Sequence, residues 1–267
     1  MTIGEAEVRA AWDRNAATWT DRVRARRDLY REVFNNPSFL AFLPPLAERE
    51  VVDLGCGEGT NTRALARTTG ARLTGIDLSP AMIAAAREAE AREPLGLAYH
   101  EASFTDLSRL FAPGSFDAAV STMALMDSPD FMAAAREAFR ILRPGGSFTF
   151  SVLHPCFVTP ALRWLRDEAG RETGLVVGRY FDEASFVERW RFSKDPEAGR
   201  FPDFEVPRFP RTLETYVGGL LAAGFRLTGL KEPRPSEAMA EAHPWLRRWR
   251  EHAAIFLYLK AEKPRGA

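Results

Sequence analysis

Short apolar runs alternate with helical patterns along most of the chain, and this alternation predicts the core of the fold. Seven runs have the length and composition of strands: 51–54, 73–76, 97–100, 116–121, 147–152, 226–230 and 254–260. Helical spacing of apolar residues separates them at 60–68, 80–91, 131–142 and 212–223, and in two pieces over 235–251. Strands that alternate with helices indicate right-handed βαβ units. The pattern therefore predicts an α/β fold, a doubly wound and mostly parallel sheet of seven strands.

Two segments lie outside this alternation. Apolar residues at helical spacing predict one helix over 5–33, which ends at Asn35-Asn36-Pro37 because the residue before a proline avoids the helical conformation. Residues 153–210 are rich in aromatic residues and prolines, which indicates a lid or a binding loop rather than a linker. The expected organisation is an N-terminal helical lid (1–46), a cofactor-binding core (47–153), a substrate cap (154–210) and the C-terminal part of the core (211–267).

Composition and charge exclude several classes of protein. The 267 residues contain 36 Lys and Arg against 36 Asp and Glu, so a basic surface for nucleic acid is not expected. No apolar run reaches the roughly 20 residues of a membrane span, and the polar start MTIGEAEVRAAWDRN does not resemble a signal peptide. Cys56 and Cys156 are far apart, and four scattered His residues form no metal-ligand motif. We expect a cytoplasmic protein, a monomer or homodimer, that acts on a small molecule without metal, membrane or nucleic acid.

The segment VVDLGCGEGTN (51–61) combines a buried strand, a glycine-rich turn and the start of a helix. Such a turn lets a ligand approach the main chain and exposes the free N–H groups of the helix. Dinucleotide-binding turns have the spacing G-x-G-x-x-G, whereas here it is G-x-G-x-G, followed by Thr60. Asp53 would repel a diphosphate and favour a cationic ligand.

A second acid follows the next predicted strand. Asp77 stands about 20 residues after the first glycine, where a carboxylate can accept hydrogen bonds from both ribose hydroxyls. Taken singly, Asp77 could merely cap a helix and Asp53 could merely bind loop amides. Their order along the chain favours a nucleoside site.

The chain resembles the class I S-adenosylmethionine-dependent methyltransferases in the motifs DLGCGEG (53–59), GIDLS (75–79), SFDAAVS (115–121) and LRPGGSFTFS (142–151), and residues 211–230 resemble that family's last helix and following strand. The resemblance implies a Rossmann-like fold, S-adenosyl-L-methionine as cofactor and S-adenosyl-L-homocysteine as product. It further implies that the glycines line the methionine part, that Asp53 meets its amino end, that Asp77 holds the ribose, and that Met82 packs on the adenine. The cofactor-binding residues expected on this basis are Trp19, Asp53, Gly55, Cys56, Gly57, Gly59, Asp77, Leu78, Met82, Ser103, Phe104, Ser121 and Thr122.

Two positions depart from the family pattern. Relatives often carry an acid after the third strand that binds the adenine amino group, but here the stretch is EASF (101–104). We expect Ser103 to take that place and Phe104 to supply a ring contact. Met126 occupies a place where relatives often have His, so a base is missing there.

His154 follows the fifth strand, at the edge where open α/β sheets bind ligands. It is the first candidate for a general base or for a residue that orients the acceptor, with Tyr180 second; the alternative is a loop histidine bonded to nearby backbone. Trp12, Trp19 and Tyr30 could hold the first helix in place or close over the cofactor. The residues expected to contact the acceptor are Tyr30, Met126, His154, Trp164, Tyr180 and Trp190.

The expected reaction is the in-line transfer of a methyl group from S-adenosylmethionine to a small apolar or aromatic metabolite. The cofactor carries the activated group, and the protein supplies alignment. Two alternatives are an NAD-dependent oxidoreductase on a related fold and a non-catalytic protein that binds the cofactor for regulation.

Overall fold

Strands and helices alternate through the computed structural model, which describes residues 3–266. The strands are β1 (Glu50–Leu54), β2 (Arg72–Asp77), β3 (Ala98–Glu101), β4 (Phe116–Thr122), β5 (Leu142–Leu153), β6 (Arg163–Arg166), β7 (Glu172–Val176), β8 (Phe186–Trp190), β9 (Phe204–Arg208), β10 (Arg226–Lys231) and β11 (Phe256–Glu262). The α-helices are α1 (Glu5–Arg24), α2 (Asn36–Leu40), α3 (Thr60–Thr69), α4 (Pro80–Arg92), α5 (Phe131–Ile141), α6 (Leu213–Ala222), α7 (Glu237–Ala242) and α8 (Arg247–Glu251).

Seven of these strands form the central sheet, in the spatial order β10-β11-β5-β4-β1-β2-β3. Strands β1 to β5 pair in parallel, whereas β11 is antiparallel to both β5 and β10. The predicted doubly wound, mostly parallel seven-stranded sheet is confirmed. Its strands are nearly continuous apolar runs because helices cover both faces of such a sheet.

The carboxyl ends of β1, β2 and β4 meet at one edge of the sheet. Asp53 is level with Gly75 of β2 on one side and with Val120 of β4 on the other. The chain order reverses between β2 and β4 around β1, and ligands bind at such a switch point in open α/β sheets. The fold thus brings Asp53, Asp77 and Thr122 to one place.

The N-terminal helix is shorter than the sequence predicts. Helix α1 ends at Arg24, and Arg26 adopts a left-handed conformation with φ of 58°. A π-helical turn over Arg31–Asn35 then runs into α2. The prediction that the helix ends at Asn35-Asn36-Pro37 is wrong. Pro37 lies in the first turn of α2, where its missing N–H removes no hydrogen bond.

The aromatic segment between β5 and α6 forms two antiparallel hairpins, β6–β7 and β8–β9, each paired only within itself among the described residues. The β8–β9 hairpin packs on α1 through an aromatic cluster. Trp19 lies with its ring centroid 5.9 Å from Trp190, 5.5 Å from Phe192 and 5.8 Å from Phe204. Trp19 therefore holds α1 to the hairpin, as one of the two interpretations of the N-terminal aromatic residues predicts.

Candidate functional site

A cavity of about 440 Å³ lies between the carboxyl edge of the sheet, α1 and the β8–β9 hairpin. Most residues singled out from the sequence line it. They are Trp19, Tyr30, Gly55, Cys56, Gly57, Asp77, Leu78, Met82, Ser103, Phe104, Thr122, Met126 and Trp190. Trp12 lines it as well, so the first helix both packs on the hairpin and covers the cavity.

The turn after β1 requires glycine at its first position. Gly55 has φ of +79°, and a Cβ atom placed on it would lie 2.2 Å from the Cβ of Ala124. At Gly57, with φ of +57°, a Cβ would meet no atom within 4 Å. The first glycine allows close packing against the segment after β4, and the second leaves the main chain open toward the cavity.

Asp77 joins this turn to the end of β2. Its Oδ2 accepts a hydrogen bond from the Gly57 N–H at 2.8 Å, and its Oδ1 accepts one from the Ser79 N–H at 2.9 Å. Burial raises the pKa of Asp77 to about 6, against the effect of these two hydrogen bonds. Each carboxylate oxygen has a further lone pair, so Asp77 can still accept hydrogen bonds from a ligand in the cavity.

Asp53 lies behind the turn and does not line the cavity. Only 1% of its surface is exposed; Oδ2 accepts a hydrogen bond from Thr62 Oγ1 at 2.7 Å, and Oδ1 has no partner among the described residues. Burial raises the pKa of Asp53 to about 6. A buried carboxylate with one free oxygen is costly, and a cation or an N–H donor nearby would relieve that cost.

The π-helical turn brings two further polar residues to the cavity that the sequence did not indicate. The Arg31 guanidinium donates to Asn61 Oδ1 at 2.8 Å and lies 3.8 Å from Glu58. Asn35 is buried, and its Nδ2 has no partner among the described residues. No sequence signal would have found them, because the unusual turn that presents both to the cavity has no signature. π-Helical turns are frequent at functional sites.

An ion cluster around the buried Asp127 lies on the other side of the cavity. Arg208 of β9 pairs with Asp127, which follows β4. The Nε atom of Arg208 lies 2.5 Å from Oε2 of Glu188 in β8. Burial raises the pKa of Asp127 to about 6, although Arg208 opposes this shift. The sequence does not indicate this cluster, because Asp127 and Arg208 are 81 positions apart.

A smaller cavity of about 180 Å³ adjoins the first. Both are lined by Met126, Leu153, Glu188 and Arg208, so these four side chains form the wall between them. Tyr180 lines only the smaller cavity, and its hydroxyl accepts a hydrogen bond from the Leu213 N–H at 2.9 Å. Tyr180 is therefore separated from the glycine turn by this wall.

The structure does not bring His154 to either cavity. It is 2% exposed; Nε2 lies 2.7 Å from Glu232 Oε1, and Nδ1 accepts a hydrogen bond from the Cys156 N–H at 3.2 Å. Because Nδ1 accepts a hydrogen bond, the ring proton is on Nε2, which donates a hydrogen bond to Glu232. Burial lowers the pKa of His154. His154 is thus bonded to nearby backbone, as in the alternative of a loop histidine, and its role as a base stays a prediction without a contact to the cavity.

Three other expected site residues also lie outside the cavity. Trp164 packs against Trp249, with ring centroids 4.9 Å apart. Ser121 Oγ donates to the Leu54 carbonyl at 2.7 Å, so its side chain ties β4 to β1. Gly59 lies against Tyr99 and is the N-cap of α3. Their positions follow from packing between strands and helices, which local sequence motifs do not predict.

Two structural properties of residues 3–266 concern membranes and metal ions. No helix within this range is long and apolar enough to cross a membrane. Within the same range, His, Cys, Asp and Glu form no group of three or more that could hold a metal ion.

Comparisons with known proteins agree with this geometry. A family model described as a methyltransferase domain matches residues 52–150. The crystal structure of an S-adenosylmethionine-dependent methyltransferase from Mesorhizobium loti is similar with a TM-score of 0.68 and 32% sequence identity, covering 85% of this chain and 96% of that one.

Two curated relatives are ubiquinone biosynthesis O-methyltransferases. The protein from Xanthomonas campestris is 35% identical over 116 residues, which are 43% of this chain and 48% of that protein. The protein from Methylococcus capsulatus is 33% identical over 152 residues, which are 57% and 62% of the respective chains. The chain thus spans about half the length of these curated relatives. Together with the Mesorhizobium loti structure, these matches show that the chain belongs to the S-adenosylmethionine-dependent methyltransferases, enzymes for which S-adenosylmethionine is the cofactor.

Proposed function

We propose that the protein transfers the methyl group of S-adenosylmethionine to a hydroxyl group of a small, largely apolar acceptor. The observation that carries the proposal is that a single cavity is lined both by the Gly55–Gly57 turn with Asp77 and by the Asp127–Arg208–Glu188 cluster. The first group has the chemistry to hold the cofactor, and the second has the chemistry to hold a polar acceptor group. The NAD-dependent alternative is disfavoured because the chain belongs to the methyltransferase family and because the Asp53 carboxylate would repel a diphosphate.

The residues at the glycine turn fit S-adenosylmethionine. Asp77 has lone pairs for the ribose hydroxyls, and the unpartnered Asn35 Nδ2 and the Arg31 guanidinium are donors suited to a carboxylate. Asp53 lies behind the turn, so its free oxygen is suited to the amino end through a bridging water molecule. When bound, the cofactor supplies a methyl group activated by the positive sulfonium. The task of the protein is then to align the acceptor with that group and to exclude water.

The walls on the acceptor side are mostly apolar. They include Leu153, Trp190, Phe192, Ile255 and Phe256, all of which line the cavity. Such walls suit a flat or hydrophobic molecule. The ubiquinone biosynthesis O-methyltransferases among the relatives support an oxygen acceptor.

Asp127 is our candidate for the residue that receives the acceptor proton. It lines the cavity, is 6% exposed and has a pKa near 6, within the range in which a carboxylate works as a general base at neutral pH. Arg208 holds the carboxylate in place, and Glu188 neutralises Arg208 from the other side. The acceptor hydroxyl would give its proton to the Asp127 carboxylate as its oxygen forms the bond to the methyl carbon, while the bond from that carbon to sulfur breaks and S-adenosylhomocysteine is released.

The test is transfer of tritium from methyl-labelled S-adenosylmethionine to a panel of small mono- and dihydroxylated aromatic compounds. We expect at least one member to be labelled by the wild type, and Asp127→Asn to lower its turnover by about 100-fold or more while S-adenosylhomocysteine affinity stays unchanged. The exposed Asp106→Asn variant is the control and should match the wild type. Labelling of amines or thiols, but of no hydroxyl compound, would contradict the proposed acceptor class; undiminished turnover of Asp127→Asn would contradict the role of Asp127.

A further inference from the structure

The first helix places a carboxylate at the end of the cavity where the loop after β3 begins. Glu5 Oε1 accepts hydrogen bonds from Ser103 Oγ at 2.5 Å and from Thr105 Oγ1 at 2.7 Å. Glu5 and Ser103 both line the cavity. Ser103, which the sequence suggested as a direct contact to the ligand, is thus engaged with a residue 98 positions earlier in the chain.

The second oxygen of this carboxylate is free to accept a hydrogen bond. Oε2 of Glu5 makes none with residues 3–266, and within that range no cationic side chain lies close enough to Glu5 to form an ion pair. Two other acids of the cavity, Asp127 and Glu188, are already engaged by Arg208. A carboxylate whose protein partners occupy one oxygen can accept an N–H donor from a ligand on the other.

Apolar side chains line the same cavity as Glu5. Val8 is three positions further along α1, Phe104 follows Ser103, and Leu78 and Met82 lie after β2 and in α4. A flat aromatic ring fits between such side chains, and an amino group on its edge would need an acceptor, because an unpaired donor in an apolar site is costly. Glu5 is the acidic side chain of α1 that lines this end of the cavity.

We infer that Glu5 Oε2 accepts a hydrogen bond from the exocyclic amino group of the cofactor's adenine, so that the first helix determines selectivity for that base. The inference rests on the proposed cofactor site. The acid that ends β3 cannot serve in this role: Glu101 pairs with Arg9 at the surface, where both side chains are well exposed, and does not line the cavity. The carboxylate for the base therefore comes from α1 and not from the strand.

Calorimetric titration with two ligands tests this assignment without any acceptor. One ligand is S-adenosylhomocysteine, and the other is its analogue in which hydrogen replaces the adenine amino group. For the wild type we expect the analogue to bind about 10- to 100-fold more weakly, the usual effect of one hydrogen bond to a charged group. Glu5→Ala should bind both ligands with the affinity that the wild type has for the analogue. Glu5→Gln, which keeps an acceptor oxygen, should recover part of the preference.

Glu101→Ala is the matched control, because Glu101 also anchors α1 but does not line the cavity. This variant should bind S-adenosylhomocysteine more tightly than the analogue by the same factor as the wild type. Equal binding of both ligands by the wild type, or an unchanged preference in Glu5→Ala, would overturn the inference and leave the cofactor site intact. Loss of both ligands in Glu5→Ala would also overturn it, because Glu5 would then only hold α1. Failure of the wild type to bind S-adenosylhomocysteine would instead overturn the proposed function itself.

Discussion

The carboxylate of Asp77 and the main chain of Gly57 are joined by a hydrogen bond of 2.8 Å that connects the end of β2 to the turn after β1. The bond explains why an acid and a glycine about 20 residues apart act as one unit. Gly57 adopts a positive φ that turns its N–H toward Asp77, and the carboxylate in turn is held at the cavity edge. The same contact that shapes the turn therefore orients the group that we propose binds the ribose.

Gly55→Ala should destabilise the protein. Its φ of +79° and the 2.2 Å approach to the Cβ of Ala124 leave no room for a side chain, so we expect a loss of about 2 kcal/mol or more in the free energy of unfolding. Gly218→Ala in the middle of α6 is the control: a Cβ there meets no atom within 4 Å, and the variant should gain about 0.5–1 kcal/mol. Urea unfolding measures both. A Gly55→Ala variant as stable as the wild type would show that the turn has been misinterpreted.

Asp53→Asn should change the pH dependence of stability. The raised pKa of Asp53 means that the folded state binds more protons than the unfolded state between about pH 4 and 6. The contribution of Asp53 to stability is therefore present at low pH and is lost as pH rises through about 6. Relative to the wild type, Asp53→Asn should thus be more stable at pH 7.5 than at pH 4.5, by about 2 kcal/mol.

For Asp106→Asn, the stability relative to the wild type should change with pH in the opposite direction. This variant is the control for the experiment. Hydrogen bonds from Ser108 lower the pKa of Asp106, so its stabilising effect is present near pH 7 and fades as pH falls through the folded-state pKa. Urea unfolding of the three proteins without ligand, at pH 4.5 and 7.5, provides the comparison. The same pH dependence in Asp53→Asn and in the wild type would contradict the buried, ionised carboxylate.

Replacement of His154 by Ala should affect stability and leave binding intact. The variant loses the hydrogen bond to Glu232 and leaves the Cys156 N–H without its acceptor, which costs about 1–3 kcal/mol. Affinity for S-adenosylhomocysteine and turnover of any acceptor found in the tritium assay should equal those of the wild type. A large fall in turnover at unchanged stability would restore His154 as a residue of the reaction.

The parts of the molecule that the sequence predicts well are those held by local patterns. The alternation of strands and helices predicts the sheet, and the G-x-G-x-G spacing with Asp77 predicts the turn and its partner acid, because these features depend on neighbouring residues and on chain order. Gly55, Gly57 and Asp77 all line the cavity as expected.

The parts that the sequence misses depend on contacts between distant segments. Arg208 meets Asp127 across 81 positions, and His154 turns toward Glu232 across 78. The π-helical turn over Arg31–Asn35 has no sequence signature. The sequence does not predict the β8–β9 hairpin, because a stretch rich in aromatic residues is equally typical of a ligand-binding loop. Packing between distant segments decides these features, and local patterns in one sequence do not reveal it.

Calorimetric titration of the purified protein with S-adenosylhomocysteine, with NAD as the control ligand, tests the central claim that this cavity is the cofactor site. The wild type should bind S-adenosylhomocysteine with micromolar or tighter affinity and should not bind NAD. Asp77→Ala, with folding checked by circular dichroism, should bind about 100-fold more weakly or not measurably, because hydrogen bonds from both ribose hydroxyls to a carboxylate are lost. Binding of NAD in place of S-adenosylhomocysteine, or equal affinity in the folded Asp77→Ala variant, would contradict the account.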